Sequence, residues 1–193
     1  MLRDAATLIL FKKDEDGLRV LMGLRNAGHK FMPNRMVFPG GGVDAEDFGA
    51  EVASPLPDPV LARLERAAAP GLAAALGYAA ARELEEETGL SLGRPPALAG
   101  LDYLCRAETP AAVSIRFNAR FFVGPAALAS GGIGGSGELE ALDWYPMERL
   151  LQLELPRVTR LVLAQLQNWF GLDANERASR KVPVYRNPNW EEE

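Results

Sequence analysis

The sequence predicts a mixed α/β sandwich, and three observations carry that expectation. Two short apolar runs, "AATLILF" and "LRVLMGLR", flank the polar stretch "KKDEDG" and read as a β-hairpin. Residues 113–123, "VSIRFNARFFV", alternate as a strand does. Val113, Ile115, Phe117, Ala119 and Phe121 fall on one side, and Ser114, Arg116, Asn118, Arg120 and Phe122 on the other. Segments with helical start and stop signals lie between and after these strands.

In chain order, the hairpin is followed by the polar loop "RNAGHKFMPNR" and a brief apolar pair, Val37–Phe38. "PGGGVDAEDFG" is too rich in glycine for regular structure. "DPVLARLERAAA" predicts a helix with Asp58 as N-cap, Pro59 at the first helical position and Pro70–Gly71 as its stop. A second helix is expected over 72–88, ended by Gly89 as a left-handed C-cap. "LAGLDYLCRA" is strand-like, "ASGGIGGSG" a flexible loop, and "ELEALDWYP" a strand and turn. "PRVTRLVLAQLQNWF" is the last helix, with Val158, Leu161, Val162, Leu166 and Trp169 on or near one face. The sequence contains no internal repeat.

Composition bounds the function. Apolar residues make up 48% and charged residues 24%, as in ordinary soluble globular proteins. A formal charge of −5 argues against a nucleic-acid partner held by a basic field. The single cysteine, Cys105, excludes an internal disulfide and a cysteine metal site, and reads as a small core residue in a reducing compartment. The apolar run of "MLRDAATLILFKK" is short and no small-residue cleavage site follows, so it reads as a strand rather than a signal peptide. No segment approaches the length of a membrane span, and "NPNWEEE" matches no lipidation or retention signal. A cytoplasmic protein is expected.

The chemistry concentrates in "AARELEEETGL", residues 80–90, where Glu83, Glu85, Glu86 and Glu87 crowd into five positions. On a helix Glu83, Glu86 and Glu87 share a face while Glu85 points elsewhere. Such neighbours repel by a few tenths of a kcal/mol per pair, roughly, unless a positive group offsets them. Arg82, four residues before Glu86, is placed to hold its carboxylate. Three converging carboxylates suit a hard divalent cation such as Mg²⁺. The competing reading is a solvated acidic helix face.

"FPGGGVDAED" together with "RELEEETGL" resembles the Nudix box, G-x5-E-x7-R-E-U-x-E-E-x-G-U with U aliphatic. Arg82, Glu83, Leu84, Glu86, Glu87, Gly89 and Leu90 match its second half. In the first half Gly41 takes the leading glycine, and Asp47 stands where the pattern has glutamate. Residues 48–81 number 34 where the pattern has seven, an insertion of 27. A branch of the Nudix hydrolases resembling the mammalian peroxisomal coenzyme A diphosphatases carries an insertion here, after "F-P-G-G-x-x-D-x-x-D", as Phe38 to Asp47 read in this chain. "VLMGLR…FMPNRMVFPGG", "TPAAVSIRFNARFF" and "GELEALDWYPMERLL" resemble further segments of that branch, so that the resemblance covers most of residues 5–165.

The resemblance implies a single Nudix domain over 1–193. It would be an α/β/α sandwich with a mixed sheet, a helical insertion at about 48–75, and a C-terminal helix and tail at about 156–193. It implies cleavage of a diphosphate by water with Mg²⁺ or Mn²⁺, Glu86 and Glu87 as metal ligands, and Glu83 as ligand or base. Arg82 would orient the glutamates, and the Gly41 carbonyl would be a further ligand. Glu138, six residues before Trp144, is the candidate for an extra acid, brought in by the glycine-rich loop; Glu140 competes with it, and a surface acid is the plain alternative. Asp47 is a box acid or a helix N-cap.

Arg116 and Arg120 are candidates for phosphate contact or members of a solvated sheet face. Arg25 sits near the place of an Arg-Ser pair in a coenzyme A subgroup, although Asn26 follows it here. His29 reads as a surface residue, and "GGIGGSG" as a linker, because it lacks the lysine and the strand–helix context of a P-loop. Coenzyme A or its acyl esters are the favoured substrates. ADP-ribose, a dinucleotide or a nucleoside triphosphate is the alternative, and a non-catalytic ligand sensor the reading of another class. Retention of Arg82, Glu83, Glu86 and Glu87 favours catalysis. The insertion would line a groove for the pantetheine arm or, through Leu61, Leu64 and the alanines, pair two copies as a homodimer.

Overall fold

The computed structural model describes residues 1–15, 17–28 and 32–193. The strands are β1 (Leu2–Asp14), β2 (Gly17–Arg25), β3 (Met36–Val37), β4 (Gly40–Gly42), β5 (Asp102–Glu108), β6 (Arg116–Pro125), β7 (Leu139–Pro146), β8 (Pro183–Arg186) and β9 (Asn189–Glu192). The helices are α1 (Asp58–Glu65), α2 (Leu72–Thr88), α3 (Met147–Gln152), α4 (Arg157–Phe170) and α5 (Ala174–Ser179). The strands form one mixed sheet ordered β3-β2-β1-β6-β5-β8-β9, with β4 against β1 and β7 against β2. β1–β6 and β5–β8 are parallel and the remaining pairs antiparallel.

Alternation divides the core into two layers. Leu8, Leu10, Leu21, Tyr103 and Phe122 pack with Leu64, Leu76 and Leu84 of α1 and α2. Ile9, Val20, Met22, Phe121 and Val123 pack on the other face with Leu150 of α3 and with Leu163, Leu166 and Trp169 of α4. The expected α/β/α sandwich is present. Asp102 ties the layers together, accepting from Arg63 of α1 at 2.5 Å and from Trp169 Nε1 of α4 at 2.6 Å. Cys105 is a buried core residue, its thiol pushed up by that burial. Among the described residues no helix is long and apolar enough to cross a membrane.

The hairpin and α2 form as expected, and α2 ends at Gly89 with φ 74°. Several expectations are corrected. Gly40–Gly42 is a strand, paired to Thr7–Ala5, because it lies so close to β1 that a Cβ on Gly40 would come within 3.0 Å of Ala6 and Thr7 backbone atoms. α1 begins one residue early, with Pro57 as N-cap and no capping bond from Asp58, and it ends at Glu65, well before Pro70. The alternating strand starts at Arg116, leaving Val113 exposed in the turn before it. The tail adds the hairpin β8–β9, whose Val184 and Tyr185 are buried beside β5.

The insertion is helical, but its apolar face is consumed at home. Val60 and Leu64 are in the core, Leu61 packs against it, and Arg120 donates to the Ala67 carbonyl. Leu64 is thus spent on the core, whereas Leu61, Ala67 and Ala68 are half-buried and Ala62 and Ala69 are exposed.

Candidate active site

The last turns of α2 lie alongside β4, and that contact builds the site. Glu87 is only 2% exposed; its carboxylate accepts from the Gly40 N–H at 2.8 Å and stands 4.0 Å from the Arg25 guanidinium. The Glu83 carboxylate rests on the Gly41 backbone, where an added Cβ would come closer than 3.0 Å to it. Glycine is required there for close approach. The cost of burying charge falls on the same two acids. Burial raises Glu87 to about 8 against the Gly40 N–H and Arg25, and the charges of Glu83 and Glu138 add to the rise. Burial likewise raises Glu83, opposed by Arg82.

Arg82 organises the helix end. Its Nε and Nη2 form a fork on Asp47 at 2.9 and 3.0 Å, its Nη1 reaches Glu83 at 2.9 Å and Glu86 at 3.3 Å, and Nη2 also donates to the Gly42 carbonyl at 3.0 Å. The hydrogen bond to Asp47 raises the guanidinium above its ordinary value. Asp47, 2% exposed, ends a short 3₁₀ turn at Ala45–Asp47 and also accepts from the Asp44 N–H at 2.8 Å. It is therefore neither a helix N-cap nor a free box acid; it is the anchor that aims Arg82. Glu85 points to the other flank, bonded to Arg94 and to Ser91.

Among the described residues no three acidic, histidine or cysteine side chains already converge as a metal cage. Glu83 and Glu87 are brought together, whereas Glu86 is exposed and drawn to Arg82. The donor set nevertheless fits a hard divalent cation. It consists of oxygens only, and it includes the buried Glu87 and the half-buried Glu83, whose carboxyls are pushed up chiefly by burial.

Glu138 is near enough for its charge to act on both Glu83 and Glu87. Glu140 is exposed and accepts from Asn26 Nδ2 at 3.0 Å. The "GGIGGSG" loop is more than a linker, since Gly134 and Ser136 donate to the carbonyls of Thr88 and Glu86 at 2.8 and 3.0 Å. It thus fastens the chain before Glu138 to the end of α2. The phosphate-contact expectation for Arg120 is corrected: the side chain is 1% exposed and spent on Asp4, the Asn118 carbonyl and the Ala67 carbonyl. Arg116 donates to the Thr109 carbonyl at 3.2 Å. Alternation places both arginines on the face opposite Phe117, Ala119 and Phe121, which line a cleft over the sheet. His29 lies outside the described residues.

That cleft, about 470 Å³, opens from Gly40, Gly41 and Arg25 and runs over the sheet beneath the start of α4. No residue of the insertion lines it; Glu51 of the insertion lines a second cavity, about 630 Å³, together with Arg82 and Glu86. The far wall of the cleft over the sheet is Val158, Thr159, Tyr185 and Asn187, residues that sequence reading missed. The one available signal was the apolar alternation of "VPVY", read as tail.

No protein-family model matches the chain, and no curated protein matches it. Solved structures do. A NUDIX hydrolase from Alicyclobacillus acidocaldarius is 22% identical, with a TM-score of 0.66 over 93% of this chain and 96% of that one. The NUDIX domain of Shewanella oneidensis NrtR, complexed with ADP ribose, is 16% identical, with a TM-score of 0.58 over 88% and 89%. A C. elegans Ap4A hydrolase in a binary complex is 14% identical, with a TM-score of 0.55 over 88% and 98%. The chain has the Nudix fold.

Proposed function

We propose that the chain is a metal-dependent Nudix hydrolase that cleaves a diphosphate linkage, with coenzyme A or an acyl-coenzyme A as favoured substrate. The observation that carries the reading is the placement of Glu83 and Glu87 against the Gly40–Gly41 backbone, with Arg82 forked between Asp47 and the glutamates. Glu83, Glu86, Glu87 and the Gly41 carbonyl would hold Mg²⁺ or Mn²⁺, which supplies charge neutralisation at the diphosphate and a more acidic water. The chain's part is positioning. Arg82 orients Glu83 and Glu86, Gly41 keeps the approach to Glu83 open, and Arg25 brings positive charge to the cleft mouth beside Glu87. Glu83, whose carboxyl burial pushes above its ordinary value, and Glu138 are the candidates to take a proton from the attacking water.

Coenzyme A is favoured by the interrupted box and by the cleft beside it. ADP-ribose or a dinucleotide is the second reading, because solved neighbours of this fold are an ADP ribose complex and an Ap4A hydrolase. A phosphate-release screen with Mg²⁺ and Mn²⁺ over coenzyme A, acyl-coenzyme A, ADP-ribose, diadenosine polyphosphates and nucleoside triphosphates separates them. Glu86→Gln should abolish the signal. Binding without cleavage across the whole panel would mean a sensor instead. In the same assay Glu138→Gln should slow turnover less than Glu86→Gln does and more than Glu140→Gln does. A larger effect at Glu140 would reverse the assignment of the extra acid.

A further inference from the structure

The acids of the candidate site gather at the C-terminal end of α2, where a helix presents unpaired carbonyls and partial negative charge. That end disfavours carboxylates, and the loop at 130–137 offsets it. Ser136 donates to the Glu86 carbonyl at 3.0 Å and Gly134 to the Thr88 carbonyl at 2.8 Å. Just beyond the helix, Ser91 and Ser130 exchange two backbone hydrogen bonds, each 2.9 Å. These four bonds are all backbone to backbone, so the loop lies on the helix end as a strap. Its seating leaves no room for a side chain at two points. Gly135 has φ +115°, and a Cβ there would fall 2.3 Å from the Glu87 carbonyl oxygen and 2.9 Å from the Thr88 nitrogen. Gly131 has φ +106°, and its Cβ would meet the Gly89 carbonyl oxygen at 2.7 Å. Both angles strain any residue but glycine. A Cβ on Gly132, in the same loop, would meet nothing within 4 Å. The strap runs straight into Glu138, whose N–H donates to Ser136 Oγ at 3.4 Å. The Glu138 carbonyl accepts from the Asn26 N–H at 2.9 Å, beside the end of β2.

We propose that Gly135 is a positioning residue: it seats the strap on the last turn of α2 and so holds Glu138 in register with Glu83, Glu86 and Glu87. The proposal rests on the hydrolase reading above and makes the loop a fixed clamp. The helix end has no room to retreat. Leu84 and Thr88 are fully buried, and the Thr88 hydroxyl donates to the Leu84 carbonyl at 2.6 Å while accepting from the Leu90 N–H at 3.1 Å. A methyl group at 135 therefore lifts the strap rather than the helix, and Glu138 moves with it. Misplacing a reacting group by about 1 Å can cost about 100-fold in rate.

The test measures kcat, KM and amide hydrogen exchange in wild type, Gly135→Ala and Gly132→Ala, with kcat repeated in the Glu138→Gln background. Gly135→Ala should lower kcat about tenfold or more with KM within about twofold of wild type, whereas Gly132→Ala should match wild type. In the Glu138→Gln background Gly135→Ala should cost no further kcat, because the strap acts through that acid. A loss of undiminished size in that background, or a wild-type kcat in Gly135→Ala, overturns the proposal. If Gly135→Ala fails to fold, Gly131→Ala lifts the strap at its other end and decides by the same readings. If the wild type cleaves nothing, the hydrolase reading fails on its own, and exchange still reads the strap. Faster exchange of the Gly134 and Ser136 amides in Gly135→Ala than in wild type and Gly132→Ala supports it, and equal exchange in all three overturns it.

Discussion

Arg82→Met should lower stability by about 3 kcal/mol and turnover by at least about 100-fold. The stability loss comes from Asp47. Its buried carboxylate would keep the Asp44 N–H but lose the guanidinium fork. Breaking a buried pair by removing one partner costs about 3–5 kcal/mol, and the lower end applies because Arg82 is partly open to solvent. The turnover loss has a different origin, since Glu83 and Glu86 would both lose the donor that aims them. A double-mutant cycle in urea separates the two effects. Asp47→Asn in the Arg82→Met background should recover part of the stability but none of the activity. Additive stability losses would show that Asp47 and Arg82 are not coupled.

Glu87→Gln should separate the two effects, removing turnover while leaving the metal-free fold within about 1 kcal/mol of wild type or above it. The amide oxygen still accepts from the Gly40 N–H, and the substitution removes a carboxylate that burial disfavours. The loss in turnover should exceed the roughly 10–100-fold typical of residues that support a metal ligand. Thermal unfolding with and without Mg²⁺ gives a reading independent of activity. At 100 times its Kd a bound ion stabilises the native state by about 2.7 kcal/mol, so the wild-type Tm should rise and that of the variant should move little. An equal rise in both proteins would remove Glu87 from the metal site.

What the sequence made legible is what local chemistry controls. α2 and its Gly89 cap follow from periodicity and a left-handed terminus, and the Arg82–Glu86 contact follows from four-residue spacing on that helix. The separation of Glu85 from Glu83, Glu86 and Glu87 follows from the same geometry. Glycine-rich β4 was read as irregular because isolated propensity weighs glycine against strands; pairing to β1, against which a Cβ on Gly40 would clash, overrides it. Alternation separated Phe117 and Ala119 from Asn118 and Arg120 correctly, but it could not show which face carries the cleft and which the Asp4 ion pair.

By itself, then, the sequence determined the sandwich class, the acidic helix and the glycine stretch that joins it, because these are written in spacings of three, four and two residues. Only the tertiary structure decided that Asp47 holds Arg82, that the charge of Glu138 reaches Glu83 and Glu87, and that Val60, Leu64 and Leu72 of the insertion join the core while the C-terminal hairpin walls the cleft. Each of those outcomes joins residues tens of positions apart in the chain. They depend on strand order and register, which no local pattern encodes.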